Sequence, residues 1–303
     1  MLYDPVHYTL ERGGKRIRPY FTLIGCGLCD GDIEEAVPAA VAVELLHNFT
    51  LLHDDIMDAA ETRRGRPSVF KKWDSSTAIL SGDTMYAWAF EQLQYYGREP
   101  QFSKEQYCTI LDIFLESAKV VCEGQAYDLH FEAELPLTLE AYTQMIEGKT
   151  AAMISGAFQL GSCVAAAPSA KMQGMSSIGN HIGIAFQIQD DLLDVSADPS
   201  KFGKTRGGDI IEGKKTYLSI SSLQRGNKKQ KEQLQRIFNK ATVTTEEVQS
   251  VITLYKQLGV IDAAQEAIKK HYNNAIAEIN RFQDSLYKTD LLEFIVNLKK
   301  RDY

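Results

Sequence analysis

Apolar residues recur at three- and four-residue spacing along almost the whole chain, and sustained alternation of the strand type is absent. That pattern predicts an all-α protein. Candidate helices cover 16–29, 34–60, 76–97, 103–132, 139–166, 170–195, 215–225, 229–240, 246–258, 260–284 and 286–302. The joints between them carry turn or start chemistry: Gly31-Asp32, Gly97 with Pro100, Pro136, Pro168, Pro199 and Gly226-Asn227. Thr244 and Glu247 have the spacing of a capping box. Pro38 lacks a backbone donor, so it either starts the second helix or kinks it. From Ala39 to Ala60 there is neither Gly nor Pro. No long linker and no repeat interrupts the pattern, which predicts one domain over 1–303.

Composition narrows the partners. The chain has 303 residues, of which 44% are hydrophobic, enough for a sizeable core. A formal net charge of −7 leaves no global basic field, which argues against nucleic acid or an anionic membrane surface. Any anion it binds needs a local basic cluster. The five cysteines are odd in number and scattered, so a disulfide framework is not expected. Cys26 and Cys29 have a C-x-x-C spacing, yet no second pair completes a zinc site, and two reduced, packed thiols are expected.

No charged-then-apolar segment opens the chain, and cytoplasm is the expected location. The long uncharged stretch Thr150 to Ala170 contains Ser155, Gln159, Ser162 and Pro168. It reads as a buried helix rather than a membrane span, with Gly156, Ala157 and Gly161 permitting close helix contact; no integral membrane span is expected.

The chemistry concentrates in two acidic stretches. Leu51-Leu52-His53-Asp54-Asp55-Ile56-Met57-Asp58 places Asp54 and Asp58 one helical turn apart on the same face. Two like charges there repel unless a cation sits between them, and oxygen-only ligation suits a hard divalent ion such as magnesium. A carboxylate pair on a helix is more often a solvated face, but this stretch is otherwise apolar. The spacing recurs in Phe186-Gln187-Ile188-Gln189-Asp190-Asp191-Leu192-Leu193-Asp194, again at the end of an apolar run. Two D-D-x-x-D copies in hydrophobic sequence are hard to assign to solvation. If the two helices face each other, their carboxylates form a cage for several ions, which in turn can hold a diphosphate.

Basic residues fit that reading. Arg63 and Arg64 follow the first motif, Lys15, Arg16 and Arg18 follow Gly13-Gly14, and Lys149, Lys204, Lys214 and Lys215 lie in or near glycine-bearing segments. Any one of them in isolation would be read as an ordinary surface charge; together they suit phosphate bound through metal bridges and charge-assisted hydrogen bonds. Gly148-Lys149-Thr150 imitates the end of a nucleotide-binding loop, but Thr143 stands where the leading glycine belongs and the context is helical. His47 and His53 do not share a helix face, so neither suggests zinc.

These residues resemble the trans-isoprenyl diphosphate synthases, the family that includes farnesyl and geranylgeranyl diphosphate synthases. The resemblance runs nearly end to end. It covers Gly13-Gly14-Lys15-Arg16-x-Arg18-Pro19, the first aspartate motif with Arg63-Arg64-Gly65, Ser81-Gly82-Asp83 and Gly124-Gln125-x-x-Asp128. It continues through Gly148-Lys149-Thr150, Phe186-Gln187 with the second motif, and Gly203-Lys204 through Asp209 to Gly213-Lys214-Lys215-Thr216.

The resemblance implies a helical bundle around a deep central cavity, usually dimeric, binding an allylic prenyl diphosphate beside isopentenyl diphosphate. By similarity Asp54, Asp58 and Asp190 ligate magnesium, expected as three ions, with Asp55, Asp191 and Asp194 in support and Asp194 counted in the metal set. Arg63, Lys149, Thr150, Gln187, Lys204 and Lys214 would line the allylic diphosphate site, and Lys15, Arg18, His47 and Arg64 the isopentenyl site. The catalytic set is Asp54, Asp55, Asp58, Arg63, Lys149, Asp190 and Lys204. No role attaches to Gln125 and Asp128 beyond support of the site. Few residues precede Gly13, where the family usually carries a longer segment that often touches the partner subunit.

Product length follows from helix geometry. A tail running down the helix from the aspartates passes Phe49 at a depth of about 7.5 Å, then Leu46, Leu45 and Ala42, the last about 18 Å down. Phe49 should partly block it. Thr50 beside Phe49 is small and the first motif has no insertion, a pairing that resembles geranylgeranyl (C20) synthases, with farnesyl (C15) second. Phe49, Thr50 and Leu46 are therefore the expected length determinants. A terpene cyclase would carry an Asn/Ser/Glu metal motif in place of Asp190 to Asp194, and a calcium protein an EF-hand loop. A non-catalytic subunit of a heteromeric synthase tends to lose the aspartates or basic residues, and here all are present.

Overall fold

A computed structural model describes residues 2–11, 13–133, 138–196 and 207–300, without the side chains of 132 and 133. The chain is all-α apart from one two-stranded hairpin among these residues. In order, α1 is Tyr3–Leu10, α2 Ile17–Gly27, α3 Val37–Met57, β1 Thr62–Arg63, β2 Arg66–Pro67, α4 Val69–Lys72, α5 Ser75–Leu93 and α6 Tyr95–Arg98. Then come α7 Lys104–Ala133, α8 Leu139–Ile146, a π-helical turn Glu147–Ala151, α9 Ala152–Val164 and α10 Ser169–Ser196. After these follow α11 Gly208–Ile211, α12 Tyr217–Arg225, α13 Lys228–Phe238, α14 Thr245–Gln257, α15 Val260–Ile279 and α16 Leu286–Lys299.

Local chemistry sets several boundaries. Asp32 accepts from Glu34 N at 3.0 Å and starts the 3-10 turn Ile33–Ala36 that leads into α3. Pro38 sits in the first turn of α3, where its missing donor costs nothing, so it starts this helix rather than kinking it. Thr244 and Glu247 close their capping box in both directions, at 3.3 and 3.2 Å. Two more such boxes, Thr216 with Ser219 and Asn227 with Gln230, open α12 and α13.

The chain divides into two compact units, each discontinuous in sequence. The first holds residues 1–118, 153–176 and 283–288, the second 119–152, 177–282 and 289–303. Within the first, α3 packs along α5 and α2. Phe21 and Phe158, both fully buried, stack at 4.6 Å, and each such ring contributes roughly 1.5–3 kcal/mol of burial. The small residues of α9 act as expected: a Cβ on Gly161 would strike the backbone of Thr22 and Cys26, and one on Gly156 would strike Ser117. Cys26 and Cys29 are free, buried thiols, pushed up to about 12 and about 11 chiefly by burial. Neither is a ready ligand or nucleophile.

Within the second unit, buried Gln189 ties three helices: its amide donates to Leu298 O at 2.8 Å and its carbonyl accepts from Tyr272 OH at 2.9 Å. Among the described residues one stretch, Ile33–Met57, is long and apolar enough to cross a membrane. Half of its most apolar 18 residues are buried, and the stretch contains α3, whose buried residues include Ala39, Val43, Leu46 and Leu52.

Candidate active site

The first aspartate motif closes α3. Asp58 is the C-cap residue, and its N–H donates to Asp54 O at 2.9 Å, so the two carboxylates leave the helix one turn apart as the spacing requires. Asp55 points the other way. It is 3% exposed, and Arg63 from the hairpin grips it, with Nε donating to Oδ1 at 2.7 Å and Nη2 at 2.5 Å. Arg63 Nη2 also lies 3.6 Å from Asp54 Oδ2. Burial raises the Asp55 carboxyl and the Arg63 guanidinium opposes that rise.

Beside this motif the unit gathers its cations. Arg18 Nη1 donates to His47 Nε2 at 3.2 Å, which demands an unprotonated nitrogen there. Burial, then Arg18, Arg64, Arg63 and Arg16, hold the His47 imidazole well below its usual value, so the ring is neutral at physiological pH. Arg64 lies over Gly14: a Cβ on that glycine would stand 2.9 Å from Arg64 Nη2. Lys15 is exposed on the same loop. Arg16 and Arg64 both adopt left-handed backbone, with φ of 47° and 53°, a conformation costing about 1–2 kcal/mol for a side-chain-bearing residue. Something in the surroundings must hold them there.

Phe49 is half-buried one turn before His53, with its ring 4.6 Å from the His53 ring and 5.1 Å from that of Tyr86 on α5. Gly82 makes this seat possible, since a Cβ there would come within 2.7 Å of His53 Nε2. Thr50 is half-buried and bends its hydroxyl back to His47 O at 2.8 Å; Leu46 is sealed in the core at 1% exposure.

The second motif, in the second unit, likewise buries its middle carboxylate. Asp191 is buried: Tyr142 OH donates to it at 2.6 Å, the Tyr217 N–H at 2.9 Å and Gln187 Nε2 at 3.1 Å. Burial nevertheless pushes its carboxyl up to about 6. Thr150 Oγ1 donates to Gln187 Oε1 at 2.9 Å, so Thr150, Gln187 and Asp191 form one hydrogen-bonded chain. Asp190 is half-buried, while Asp194 accepts from the Asp209 N–H at 3.2 Å. Asp209 is pushed up to about 8, first by burial and then by Asp194 and Asp191, against the pull of Lys214. Lys214 thus lies beside this acidic group; Lys204 lies outside the described residues.

Lys149 stands in the π-helical turn, and its ammonium donates to Asp128 Oδ2 at 2.5 Å. Asp128 therefore has a role that the sequence pattern does not assign to it. A Cβ on Gly124 would intrude on Lys149 N and Gly148 C, so α7 and the turn touch backbone to backbone. The Gly124-to-Asp128 spacing is the available signal: one turn of helix separates the contact from the partner. Two further residues carry no sequence signal of their own, Glu44 beside Arg16 and Tyr142 beneath Asp191.

Residues 1–255 match the polyprenyl synthetase family. This chain belongs to that family. A geranylgeranyl diphosphate synthase of Methanosarcina mazei is 34% identical over 302 residues, spanning 100% of this chain and 90% of the relative. The crystal structure of a geranylgeranyl pyrophosphate synthetase from Pyrococcus horikoshii Ot3 superposes with a TM-score of 0.93 at 36% identity, covering 99% of this chain and 90% of that one. A geranylfarnesyl diphosphate synthase of Natronomonas pharaonis is 37% identical over 241 residues, 74% of this chain and 70% of the relative. As a polyprenyl synthetase of this fold, the chain is a prenyl diphosphate synthase of the short-chain type.

Membership makes the orientation of the aspartates informative. Asp55 and Asp191 are buried and take protein donors, and Asp194 is buried as well, while Asp54 and Asp190 are half-buried and Asp58 is exposed. Oxygen-only donors one turn apart fit a hard divalent cation. Among the described residues no three His, Cys, Asp or Glu side chains converge as a ready cation site.

Proposed function

We propose that this polyprenyl synthetase is a magnesium-dependent trans-prenyltransferase that joins isopentenyl diphosphate to an allylic diphosphate and stops at C20. The observation that carries the reading is the burial of the middle carboxylate in both motifs, Asp55 and Asp191 held by protein donors, beside Asp54, Asp58 and Asp190 that stay at least partly exposed. Asp54, Asp58, Asp190 and Asp194 would hold magnesium, expected as three ions, which would supply charge neutralisation to a departing diphosphate. Lys149, Thr150, Gln187, Arg63, Lys204 and Lys214 bind and orient the allylic diphosphate, whose C–O bond breaks with its electron pair leaving on oxygen. The isopentenyl double bond then forms the new C–C bond to the allylic cation, and the proton it must lose passes to the diphosphate. Lys15, Arg18, His47 and Arg64 hold the isopentenyl diphosphate, with His47 as a neutral donor.

We read the active form as one catalytic domain over 1–303, homodimeric and cytoplasmic. A non-catalytic subunit role is not favoured, because every aspartate and basic residue of the family pattern is present. The test is incubation with labelled isopentenyl diphosphate, magnesium and, separately, C5, C10 and C15 allylic diphosphates, with chromatography of the dephosphorylated lipids. A C20 product is expected. Asp54→Ala and Asp190→Ala should each cut turnover by roughly 10²–10³-fold while the helical circular dichroism is kept. Wild-type rates in either variant would overturn the metal role, and no product from any primer would overturn the activity.

A further inference from the structure

Glu44 lies on α3 one turn before Asn48 and three residues before His47, with its side chain 13% exposed. Arg16 Nη1 donates to Glu44 Oε1, and Asn48 Nδ2 donates to the same oxygen at 2.9 Å. The second guanidinium nitrogen of Arg16, Nη2, donates to Leu10 O at 2.8 Å, at the end of α1. Arg16 is thus bound on two sides by protein acceptors. Its left-handed backbone, φ 47° and ψ 37°, opens α2, on which Arg18 stands, and follows directly on Lys15. Arg64, also left-handed, lies across Gly14 of the same loop.

We propose that Glu44 is a positioning residue for the isopentenyl diphosphate site: it clamps Arg16, and that clamp sets the loop carrying Lys15 and the helix start carrying Arg18. The inference rests on the proposed assignment of Lys15, Arg18, His47 and Arg64 to isopentenyl diphosphate. Two consequences follow from the charges. Arg16, although it belongs to the basic cluster, is neutralised by Glu44 and serves the fold, not the substrate. Glu44 also offsets the mutual repulsion of the gathered guanidinium groups; of the acids near Arg64 it acts more strongly than Asp55. A substrate anion then meets Arg18 and Arg64 already in place, which is where pre-organisation lowers the cost of binding.

The experiment is steady-state kinetics with each substrate varied in turn. Glu44→Gln should raise KM for isopentenyl diphosphate about 10-fold, with kcat and KM for the allylic diphosphate within about 2-fold of wild type. Arg16→Gln should do the same, and the double variant should be no worse than either single, because the two act as one unit. Glu44→Asp, which keeps the charge, should recover part of the loss. Arg64→Gln is the control for the site itself: if it leaves KM for isopentenyl diphosphate unchanged, the assignment fails and the inference with it. If Arg64→Gln raises that KM while Glu44→Gln and Arg16→Gln do not, the clamp alone is overturned. Equal rises in both KM values, or additive effects in the double variant, would also overturn it. Should Glu44→Gln not fold, the KM of Arg16→Gln for isopentenyl diphosphate decides between the two outcomes.

Discussion

At the scale of single residues, both acidic motifs bury the middle carboxylate against protein donors. The D-D-x-x-D spacing reveals that the outer carboxylates share a helix face, since helical geometry is local. It does not reveal what the middle carboxylate touches. Asp55 meets an arginine eight positions further on, and Asp191 meets Tyr142 and Tyr217, so both orientations depend on contacts remote from the motif. Phe49 shows the same limit from the other side. Its depth below Asp54 follows from helix rise, whereas its seat between His53 and Tyr86 depends on the bare Cα of Gly82. Phe49→Ala removes the ring from that seat and should lengthen the product by one or more C5 units, read by chromatography of the dephosphorylated lipid. An unchanged length would remove Phe49 as the floor.

Among elements, the long amphipathic helices were legible and the short ones were not. A helix over 139–166 follows from apolar spacing, but the chain divides there into α8, the π-helical turn and α9. Widening one turn rotates Lys149 toward Asp128 and leaves Thr150 within reach of Gln187, and such turns recur at functional sites. The apolar period hardly changes across one wide turn, so the pattern could not show it. α1, α4 and the 62–67 hairpin escaped for a related reason: each is too short to display a period. Gly124→Ala forces backbone apart at the π-helical turn and should cost about 1–3 kcal/mol in a urea titration, with reduced turnover because Lys149 moves. Unaltered stability and rate would show that α7 and the turn can separate freely.

For the molecule as a whole, stability should depend on a histidine pair remote in sequence. His181 Nδ1 and His271 Nδ1 lie 3.1 Å apart, so one ring donates and the other must accept. Burial lowers both, and for His271 the neighbouring His181 and Lys270 add to it, taking it to about 4. Glu278 and Glu147 pull His181 the other way. A base whose folded value is depressed binds fewer protons folded than unfolded, so its contribution is complete above about pH 6.5 and is lost as pH falls toward about 4. Between pH 7 and pH 4.5 the wild type should lose roughly 1–2 kcal/mol more than His271→Gln, a figure reduced for the water that still reaches a half-buried ring. Urea midpoints at the two pH values measure this, and parallel losses would dismiss the pair as a source of acid lability. Apolar periodicity, turn residues and paired acidic motifs established the helical class, most helix positions and the chemical type of the site, because each is encoded within a turn or two of chain. Which carboxylates turn inward, that Glu44 engages Arg16, that Asp128 receives Lys149 and that two histidines meet were settled by folding. These pairings join residues 8 to 90 positions apart, beyond the reach of a single helical turn, and neither spacing nor composition records where such side chains arrive.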